Sequence, residues 1–346
     1  MTDGINRRIL FSRLMVGEPK VEDFELVEES LPKPGEGELL LRNLYVSVDP
    51  GSRARLSGRG SYVPAKPIGE VMDAQSVSEV VVSRNLDYRV GDIVAGYHGW
   101  QDYALSDGKR LSRVDPDLGP ISHAIGVFGL PGLTAYIGVR KLLKVTPGET
   151  VLISSAAGAV GSIAGQVAKI DGAKIVGIAG GEKKGVFCKE GLGFDQVIDY
   201  KSEPDVTGAL EKACPKGVNA FFDNVGGEIL NAAVASMRRF GRILICGQVA
   251  EYNLEPGQRP GLRDVSSFIS KRLDMRGFVV LDHSEFFDEA RRTMAGWIKN
   301  NQLIVREHIV EGLENASRAF CGLFRGENFG RGLVHVADPN HQANNA

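Results

Sequence analysis

Cysteine is scarce in this sequence. Its 346 residues include only four, with no CxxC pair among them: Cys188, Cys214, Cys246 and Cys321. Because 43% of the residues are apolar, a chain of this length can build its core without a disulfide framework. We therefore expect reduced, buried thiols and a cytoplasmic protein.

An excess of charge of either sign is also absent. The formal net charge is −2 at pH 7, with 41 Lys and Arg residues against 43 Asp and Glu residues. Since a nucleic-acid-binding surface must neutralise phosphates, we expect no nucleic-acid partner.

Residues 151–170 carry one charge, Lys169, but their glycines and serines predict a strand, a turn and a helix. We expect no membrane partner, and the short apolar run after Arg8 does not predict a signal peptide.

Glycine, in contrast, is abundant: the 43 glycines are expected to mark tight turns and close approaches of the backbone. Up to about residue 125 the pattern predicts mostly β-structure, with strands at Ile9–Val16, Phe24–Glu28, Glu38–Val48, Val77–Val82 and Asp92–Ala95. After Gly129 a helix at Leu133–Leu143 opens a strict alternation of strands and helices. The first strand and helix of this alternation are Thr150–Ser154 and Ala159–Ile170.

Strict alternation requires crossover connections, so it predicts a doubly wound parallel sheet. Two later segments, Val305–Val310 and Gly332–Val336, are strand-like again and are expected to return to the first domain. The predicted fold class is therefore α/β. It combines a β-barrel domain of residues 1–128, completed by 310–346, with a Rossmann domain of residues 129–309.

The strongest local motif is the turn from Ala156 to Gly161, between the first strand and the first helix of the alternating region. In dinucleotide-binding folds such a turn lets the backbone approach a pyrophosphate, and the helix N-terminus supplies free N–H groups. Ala156 replaces the first glycine of G-x-G-x-x-G, which weakens the motif by itself. Its place at the start of a βαβ unit still predicts a dinucleotide site that includes Ala157, Gly158, Val160 and Gly161.

The end of the second strand indicates which dinucleotide is bound. NAD enzymes usually have a carboxylate there to bind the ribose 2′-hydroxyl. This chain has Gly180 and Gly181 instead, followed by Glu182, Lys183 and Lys184. Because lysine attracts a 2′-phosphate and a carboxylate repels it, the pattern favours NADPH over NADH and assigns Gly180 and Lys184 to the cofactor site. The alternative is a solvated helix start, with which Glu182 is compatible.

Five segments, spread in order over most of the chain, resemble the zinc-free branch of the medium-chain dehydrogenase/reductase superfamily. Within it, the sequence is similar to the leukotriene/prostaglandin reductases, plant double-bond reductases and bacterial curcumin reductases. The matching segments are Val46-Ser47-Val48-Asp49-Pro50, Gly129–Tyr136, Ala156–Gly161, Phe222–Gly227 and Gly277–Val280.

The resemblance implies a GroES-like barrel, a Rossmann domain, and NADPH-dependent reduction of the carbon–carbon double bond of enals and enones, usually by a homodimer. Lys184 matches the lysine that holds the 2′-phosphate, and Tyr200 matches a tyrosine beside it. Tyr252 matches the tyrosine proposed as proton donor or carbonyl anchor. The positions that match the nicotinamide-binding half are Asn224, Cys246, Gly247, Phe278, Val280 and Asn328.

One departure concerns the substrate. The family commonly has an aromatic residue and a methionine directly after Asp49-Pro50, whereas this chain has Gly51 and Ser52. The aromatic side chain normally lines the substrate pocket, so its loss should enlarge or reshape that pocket. The family's substrate preferences therefore cannot be transferred.

Reduction of an enone places hydride on the β-carbon and negative charge on the oxygen. The site then needs a hydrogen-bond donor for the oxygen and a proton source for the α-carbon. Tyr252 and Tyr62 are the catalytic candidates because each carries a phenolic O–H. In the alternative interpretation each is a packing aromatic, and a positioned water protonates the α-carbon.

Three other functions are alternatives to the reduction of enones. A zinc alcohol dehydrogenase is disfavoured because no cysteine precedes Gly129 and because His98 and His123 lack a third ligand, so no metal is expected. A zinc-free NADPH quinone reductase shares the cofactor site and stays open. A protein that binds the cofactor without turnover also stays open, although nothing in the sequence blocks the cleft.

Overall fold

The structure is a computed structural model that describes residues 4–60 and 63–340. The chain divides into two compact units. The N-terminal unit comprises the residues up to Ile125, His308–Glu327 and the residues from Gly332 onward, and the central unit comprises Gly126–Glu307 and Asn328–Arg331. The domain limits from the sequence, 1–128 with 310–346 and 129–309, stay a prediction about independently folding domains.

The secondary structure of the described residues is dominated by strands in the N-terminal unit and is mixed in the central unit. The strands are β1 Ile5–Phe11, β2 Phe24–Ser30, β3 Leu39–Ser47, β4 Gln75–Ser83, β5 Ile93–Tyr97, β6 Tyr103–Ser106, β7 Ser112–Arg113, β8 Thr150–Ser154, β9 Lys174–Ala179, β10 Gln196–Asp199, β11 Val218–Asp223, β12 Met237–Ile245, β13 Asp274–Gly277, β14 Glu307–Glu311 and β15 Arg331–His335. The α-helices are α1 Leu130–Ile137, α2 Gly161–Ile170, α3 Glu182–Val186, α4 Val206–Ala213, α5 Gly227–Ser236, α6 Ser266–Lys271, α7 Phe287–Lys299 and α8 Ala316–Arg325. In the described ranges, no helix is both long and apolar enough to cross a bilayer.

The N-terminal unit is built on two antiparallel sheets. One pairs β1 with β2, and the other has the order β14-β15-β3-β4-β5-β7, with β6 added against β3. The core contains Trp100, whose indole N–H donates to the carbonyl of Ser47 at 2.9 Å, and whose ring lies 5.8 Å from that of Phe320 in α8. The sequence pattern did not predict α8, whose apolar face covers this core.

The first strand is a correction to the sequence prediction. The pattern predicted Ile9–Val16, but β1 spans Ile5–Phe11. The chain leaves the β1–β2 ladder at Ser12, and the N–H of Met15 then donates to the carbonyl of Leu56.

The central unit is the predicted doubly wound sheet. Six parallel strands have the order β10-β9-β8-β11-β12-β13. With the sheets of the N-terminal unit, this confirms the predicted α/β fold class. Two helices differ from the prediction, because α1 ends at Ile137 and continues as a π-helical turn to Leu143, and α2 begins at Gly161 rather than at Ala159.

Candidate active site

The predicted cofactor residues of the central unit come from the turns that follow its six parallel strands. In a parallel sheet the carboxyl ends of the strands share one edge, where open α/β sheets bind their ligands. The turn after β8, with the first residue of α2, carries Ala157, Gly158, Val160 and Gly161. Gly180 lies in the turn after β9, and Lys184 lies in α3 directly after that turn. The turns after β10, β11, β12 and β13 carry Tyr200, Asn224, Cys246 with Gly247 and Tyr252, and Phe278 with Val280.

The glycine turn brings the start of α2 close to the end of β8. The N–H of Gly158 donates to the carbonyl of Ser155 at 2.9 Å, and a methyl group at Gly161 would lie only 2.2 Å from the same carbonyl oxygen. Only glycine therefore permits this approach at position 161. The N–H groups of Ser162 and Ala164 already donate to the carbonyls of Gly158 and Val160, at 3.1 and 2.9 Å, so it is the positive end of the helix dipole that suits a pyrophosphate here.

The structure explains how alanine replaces the first glycine of the motif. Ala156 is fully buried, and its N–H donates to the carbonyl of Ile178 in β9 at 3.0 Å. A methyl group at Gly177 would lie 2.8 Å from the methyl of Ala156. Glycine at position 177 therefore leaves the space that Ala156 fills.

Asn328, which is remote in sequence, lies beside the glycine turn. Its side-chain amide donates to the carbonyl of Gly330 at 3.0 Å, and the N–H of Gly330 donates to the carbonyl of Ala157 at 2.8 Å. The short segment 328–331 is thus tied to the turn after β8. The structure brings these predicted cofactor residues together.

A second group surrounds Gly180. A methyl group there would lie 2.8 Å from Cε1 of Tyr200, so the tyrosine ring lies against the glycine backbone. The Nζ of Lys184 lies 5.5 Å from the ring centre of Phe329. Burial lowers the pKa of Lys184, and the positive charge of Lys201 lowers it further. Burial raises the pKa of Tyr200. These surroundings favour an anion beside Lys184.

Sequence reasoning missed Asp199, the last residue of β10. Its Oδ1 accepts the N–H of Gly181 at 2.7 Å and that of Lys201 at 3.0 Å, and the bond from Gly181 is the main reason that the pKa of Asp199 is lowered. Asp199 therefore joins the turn after β9 to the residues after β10. A carboxylate at a strand end was the only available signal.

A third group is organised by buried Asp223. Its Oδ1 accepts the hydroxyl of Ser154 at 2.7 Å and the N–H of Val225 at 3.0 Å, while burial raises its pKa. The Ser154 hydroxyl accepts the N–H of Asn224 at 2.7 Å, and the Asn224 amide donates to the carbonyl of Ser154 at 2.8 Å. These bonds fix the orientation of the Asn224 side chain.

The loop after β12 folds back on the same turn. The N–H groups of Cys246 and Gly247 both donate to the carbonyl of Asp223, at 2.7 and 3.1 Å. Burial, and secondarily the charge of Asp223, raises the pKa of the Cys246 thiol to about 12. Cys246 therefore stays a neutral thiol at physiological pH.

Tyr252 is half-buried in this loop, and its phenolic oxygen accepts the N–H of Gln248 at 3.3 Å. The neighbouring Glu251 is buried and accepts the N–H of Gly227 at 2.9 Å. The loop that carries Tyr252 is thus anchored on the turn after β11. The phenol oxygen lies 3.3 Å from where a methyl group at Gly247 would be, so Tyr252 and Gly247 are neighbours.

Phe278 and Val280 follow β13. The ring of Phe278 contacts that of Phe222 edge-to-face, with centroids 6.4 Å apart, and Val280 is buried in the same apolar cluster. They form an apolar wall at this end of the sheet edge. The second predicted catalytic tyrosine, Tyr62, lies outside the described residues.

The structure offers no fit for zinc. Within residues 4–60 and 63–340, no group of three or more His, Cys, Asp and Glu side chains is arranged to hold a metal ion. Of the two histidines that the sequence analysis named, His98 makes a 2.8 Å hydrogen bond with the Ser76 hydroxyl through Nδ1, and burial lowers its pKa to about 4. Burial also lowers the pKa of His123.

Comparison with known proteins defines the class. Residues 7–114 match a family described as the N-terminal domain of oxidoreductase, and residues 159–296 match one described as zinc-binding dehydrogenase. The chain belongs to the medium-chain dehydrogenase/reductase family, as its motifs predicted. Despite the second description, the part of the chain that the structure describes has no group of three or more His, Cys, Asp and Glu side chains arranged for zinc.

Three relatives are similar along nearly their whole length. The NADPH-dependent curcumin reductase of Escherichia coli (strain K12) is 40% identical over 336 residues, 96% of this chain and 97% of the relative. The NADP(+)-dependent 2-alkenal reductase of Nicotiana tabacum is 35% identical over 338 residues, 96% of this chain and 98% of the relative. The crystal structure of CurA from Vibrio vulnificus in complex with NADPH is 38% identical, with a TM-score of 0.91 over 96% of this chain and 100% of that one.

Proposed function

We propose that this protein reduces the carbon–carbon double bond of α,β-unsaturated aldehydes and ketones with NADPH. The observation that carries the proposal is full-length similarity to a curcumin reductase and a 2-alkenal reductase. The oxidoreductase class and the NADPH cofactor, both predicted from the sequence, are confirmed by these relatives and by the NADPH complex of CurA.

The residues at the sheet edge fit the cofactor. We assign the pyrophosphate to the turn from Ala157 to Gly161, where a side chain at position 161 would collide with the backbone. The 2′-phosphate is assigned to Lys184 and Tyr200, beside Gly180. The nicotinamide half is assigned to Asn224, Cys246, Gly247, Tyr252, Phe278, Val280 and Asn328.

When bound, NADPH supplies the hydride that the β-carbon of the substrate receives. The chain's own residues orient the reacting groups and stabilise the charge that develops on the substrate oxygen. Ser154 and Asp223 hold the Asn224 amide in one orientation, and Phe278 and Val280 exclude water from their side of the site. Tyr252 is assigned to the developing oxygen anion as a hydrogen-bond donor, because it carries a phenolic O–H and its oxygen lies beside Gly247. The proton for the α-carbon comes from Tyr252 or from water.

The decisive experiment is NADPH oxidation by the purified protein with four substrates: a 2-alkenal, a matched enone, the corresponding saturated ketone and a quinone. We expect turnover of the alkenal or enone to a product that is heavier by two hydrogens, with the saturated ketone inert. Turnover of the quinone alone would replace this proposal by the quinone reductase. NADPH binding without any turnover would favour the binding protein.

We also propose a homodimer formed through strand β13. All four residues of β13 are exposed, and β13 is the last strand of the parallel sheet as far as the chain is described. A second copy supplies the backbone partners that an edge strand lacks. Sedimentation velocity should give a dimer for the wild type and a monomer for Met275→Pro; a wild-type monomer at micromolar concentration would refute it.

The cytoplasm is the proposed location. Its support is chemical, because all four cysteines are free thiols and three are buried. Fractionation of cells that produce the tagged protein tests this, and recovery outside the cytoplasmic fraction would contradict it.

A further inference from the structure

The residue after Tyr200 also lies against Gly180. A methyl group at Gly180 would lie 3.0 Å from Cε of Lys201, as well as 2.8 Å from the ring of Tyr200. The lysine side chain thus runs along the turn that follows β9 instead of extending away from the protein. Sequence analysis did not assign Lys201 a role.

The backbone of Lys201 is fixed by Asp199. One carboxylate oxygen, Oδ1, accepts the N–H of Gly181 and the N–H of Lys201, at 2.7 and 3.0 Å. The other oxygen accepts the Ser202 hydroxyl at 3.0 Å. Since all three bonds converge on one ionised side chain, the start of the Lys201 side chain is held in place relative to Gly180 and Gly181.

The positive charges of Lys201 and Lys184 interact electrostatically. The charge of Lys201 lowers the pKa of Lys184, after the larger effect of burial, and no carboxylate in the described ranges acts to raise it. Two ammonium groups near one glycine turn repel each other. A dianion between them would relieve that repulsion and gain two charge-assisted contacts.

A cavity of about 560 Å³ adjoins this turn. It is lined by Tyr200, Lys201, Ser202, Glu203, Pro204, Val206, Glu228 and Ile229. Lys201 is the only basic residue of this lining, and Glu203 and Glu228 carry negative charge. Because those carboxylates repel a phosphate, the cavity suits an uncharged part of a ligand, and the phosphate belongs at the Gly180 side, next to the lysines.

We propose that Lys201 is a second cation for the 2′-phosphate of NADPH and thereby sets the preference for NADPH over NADH. This inference rests on the proposed function, because it assumes the cofactor site described above. It adds to Lys184 a residue held from a different strand, so that the phosphate is contacted from two sides.

The test is direct binding by isothermal titration calorimetry, with 2′,5′-ADP and 5′-AMP as probes. These ligands differ only in the 2′-phosphate, and neither can turn over. Lys201→Gln should weaken 2′,5′-ADP binding about tenfold and leave 5′-AMP binding within about twofold. Lys201→Arg, which retains the charge, should stay within about threefold of the wild type.

Lys189→Gln is the matched control. Lys189 is exposed in the segment that follows α3, so its substitution removes the same charge from the same region. It should leave both affinities unchanged. Equal weakening of 2′,5′-ADP and 5′-AMP by Lys201→Gln, or no weakening of either, would overturn the role of Lys201.

Failure of the proposed function can be distinguished from failure of the proposal for Lys201. A wild type that shows no preference for 2′,5′-ADP over 5′-AMP would remove the NADPH site itself, and Lys201 with it. A wild type that has this preference but reduces no conjugated carbonyl would contradict only the proposed substrate class. In that case, loss of the preference in Lys201→Gln would still support the role of Lys201.

Discussion

The hydroxyl of Ser154 donates a 2.7 Å hydrogen bond to the carboxylate of Asp223, and both side chains are completely buried. The two residues end neighbouring strands, β8 and β11, and lie 69 positions apart in sequence. The same hydroxyl accepts the N–H of Asn224. One small side chain therefore connects two strand ends and orients a residue assigned to the nicotinamide.

Ser154→Ala should lower the free energy of unfolding by about 2–3 kcal/mol, because it removes one hydrogen-bond donor from the buried Asp223 carboxylate and leaves the backbone N–H of Asn224 without its acceptor. Denaturant unfolding measures this. Ser236→Ala is the matched control, since that buried hydroxyl bonds only within its own helix, to the carbonyl of Ala232, and should cost less than about 1 kcal/mol. Equal losses in the two variants would contradict the prediction.

The buried Asp223 should also make stability depend on pH. Burial raises its pKa in the folded state above the ordinary value, even though hydrogen bonds from Val225 and Ser154 act in the opposite direction. The folded protein then holds the proton more tightly than the unfolded chain, so this residue's contribution to stability falls as the pH rises from about 4 through the folded pKa.

Asp223→Asn cannot ionise and removes this dependence. The gap, defined as the unfolding free energy of the wild type minus that of Asp223→Asn, should therefore decrease as the pH rises from about 4 through the raised pKa of Asp223 in the folded protein. Urea unfolding at several pH values measures the gap. A gap that widens with pH would mean that the hydrogen bonds outweigh burial and that the pKa is lowered.

Gly161→Ala should disrupt the glycine turn. Its methyl group would meet the carbonyl oxygen of Ser155 at 2.2 Å, so α2 must shift, at a cost of about 1–3 kcal/mol, and NADPH affinity should fall with it. Gly296→Ala in α7 is the control, because nothing lies within 4 Å of its added methyl group and it should stabilise the helix by about 0.5–1 kcal/mol. Thermal unfolding and NADPH titration compare the two.

Lys184→Ala should raise the KM for NADPH by about tenfold or more and leave the KM for NADH within about twofold, because only NADPH carries the 2′-phosphate. Steady-state kinetics with both cofactors measures the split. Lys189→Ala controls for the loss of one positive charge. An equal rise for both cofactors would take Lys184 out of the 2′-phosphate site.

Tyr252→Phe should lower kcat by less than about tenfold, because water can protonate the α-carbon; a sole general acid is typically worth a hundredfold or more. Rapid enone reduction assays at saturating NADPH give kcat. Tyr88→Phe is the control, since that hydroxyl bonds only to the carbonyl of Gly108 in the N-terminal unit. A loss of two orders of magnitude in Tyr252→Phe alone would make Tyr252 the proton donor.

The features that were predicted best from the sequence are those that the local residue pattern determines. The strand Thr150–Ser154 has the bounds of β8, since a buried apolar run follows a Pro-Gly turn there and a glycine-rich turn ends it. The start of α2 is two residues later than predicted, because the helical appearance of Ala159 and Val160 gives no sign of the turn closed by Gly158.

Contacts between remote residues were beyond prediction. The exposed strand β13 has no alternation of apolar and polar residues, because its position is set by pairing with β12. The bonds between Asp199 and Gly181 and between Gly330 and Ala157 depend on which turns the packed sheet brings together. Residue types at strand ends show that a site exists, but the distances between them come only from the packed sheet.

The position of β15 has a consequence for biosynthesis. This strand lies between β3 and β14, and it pairs Leu333 with Ser47 across almost the whole chain. On the ribosome the six parallel strands of the central unit are all complete before β14 and β15 have been translated. The main sheet of the N-terminal unit must therefore wait, partly unpaired and open to chaperones, until the last strand emerges.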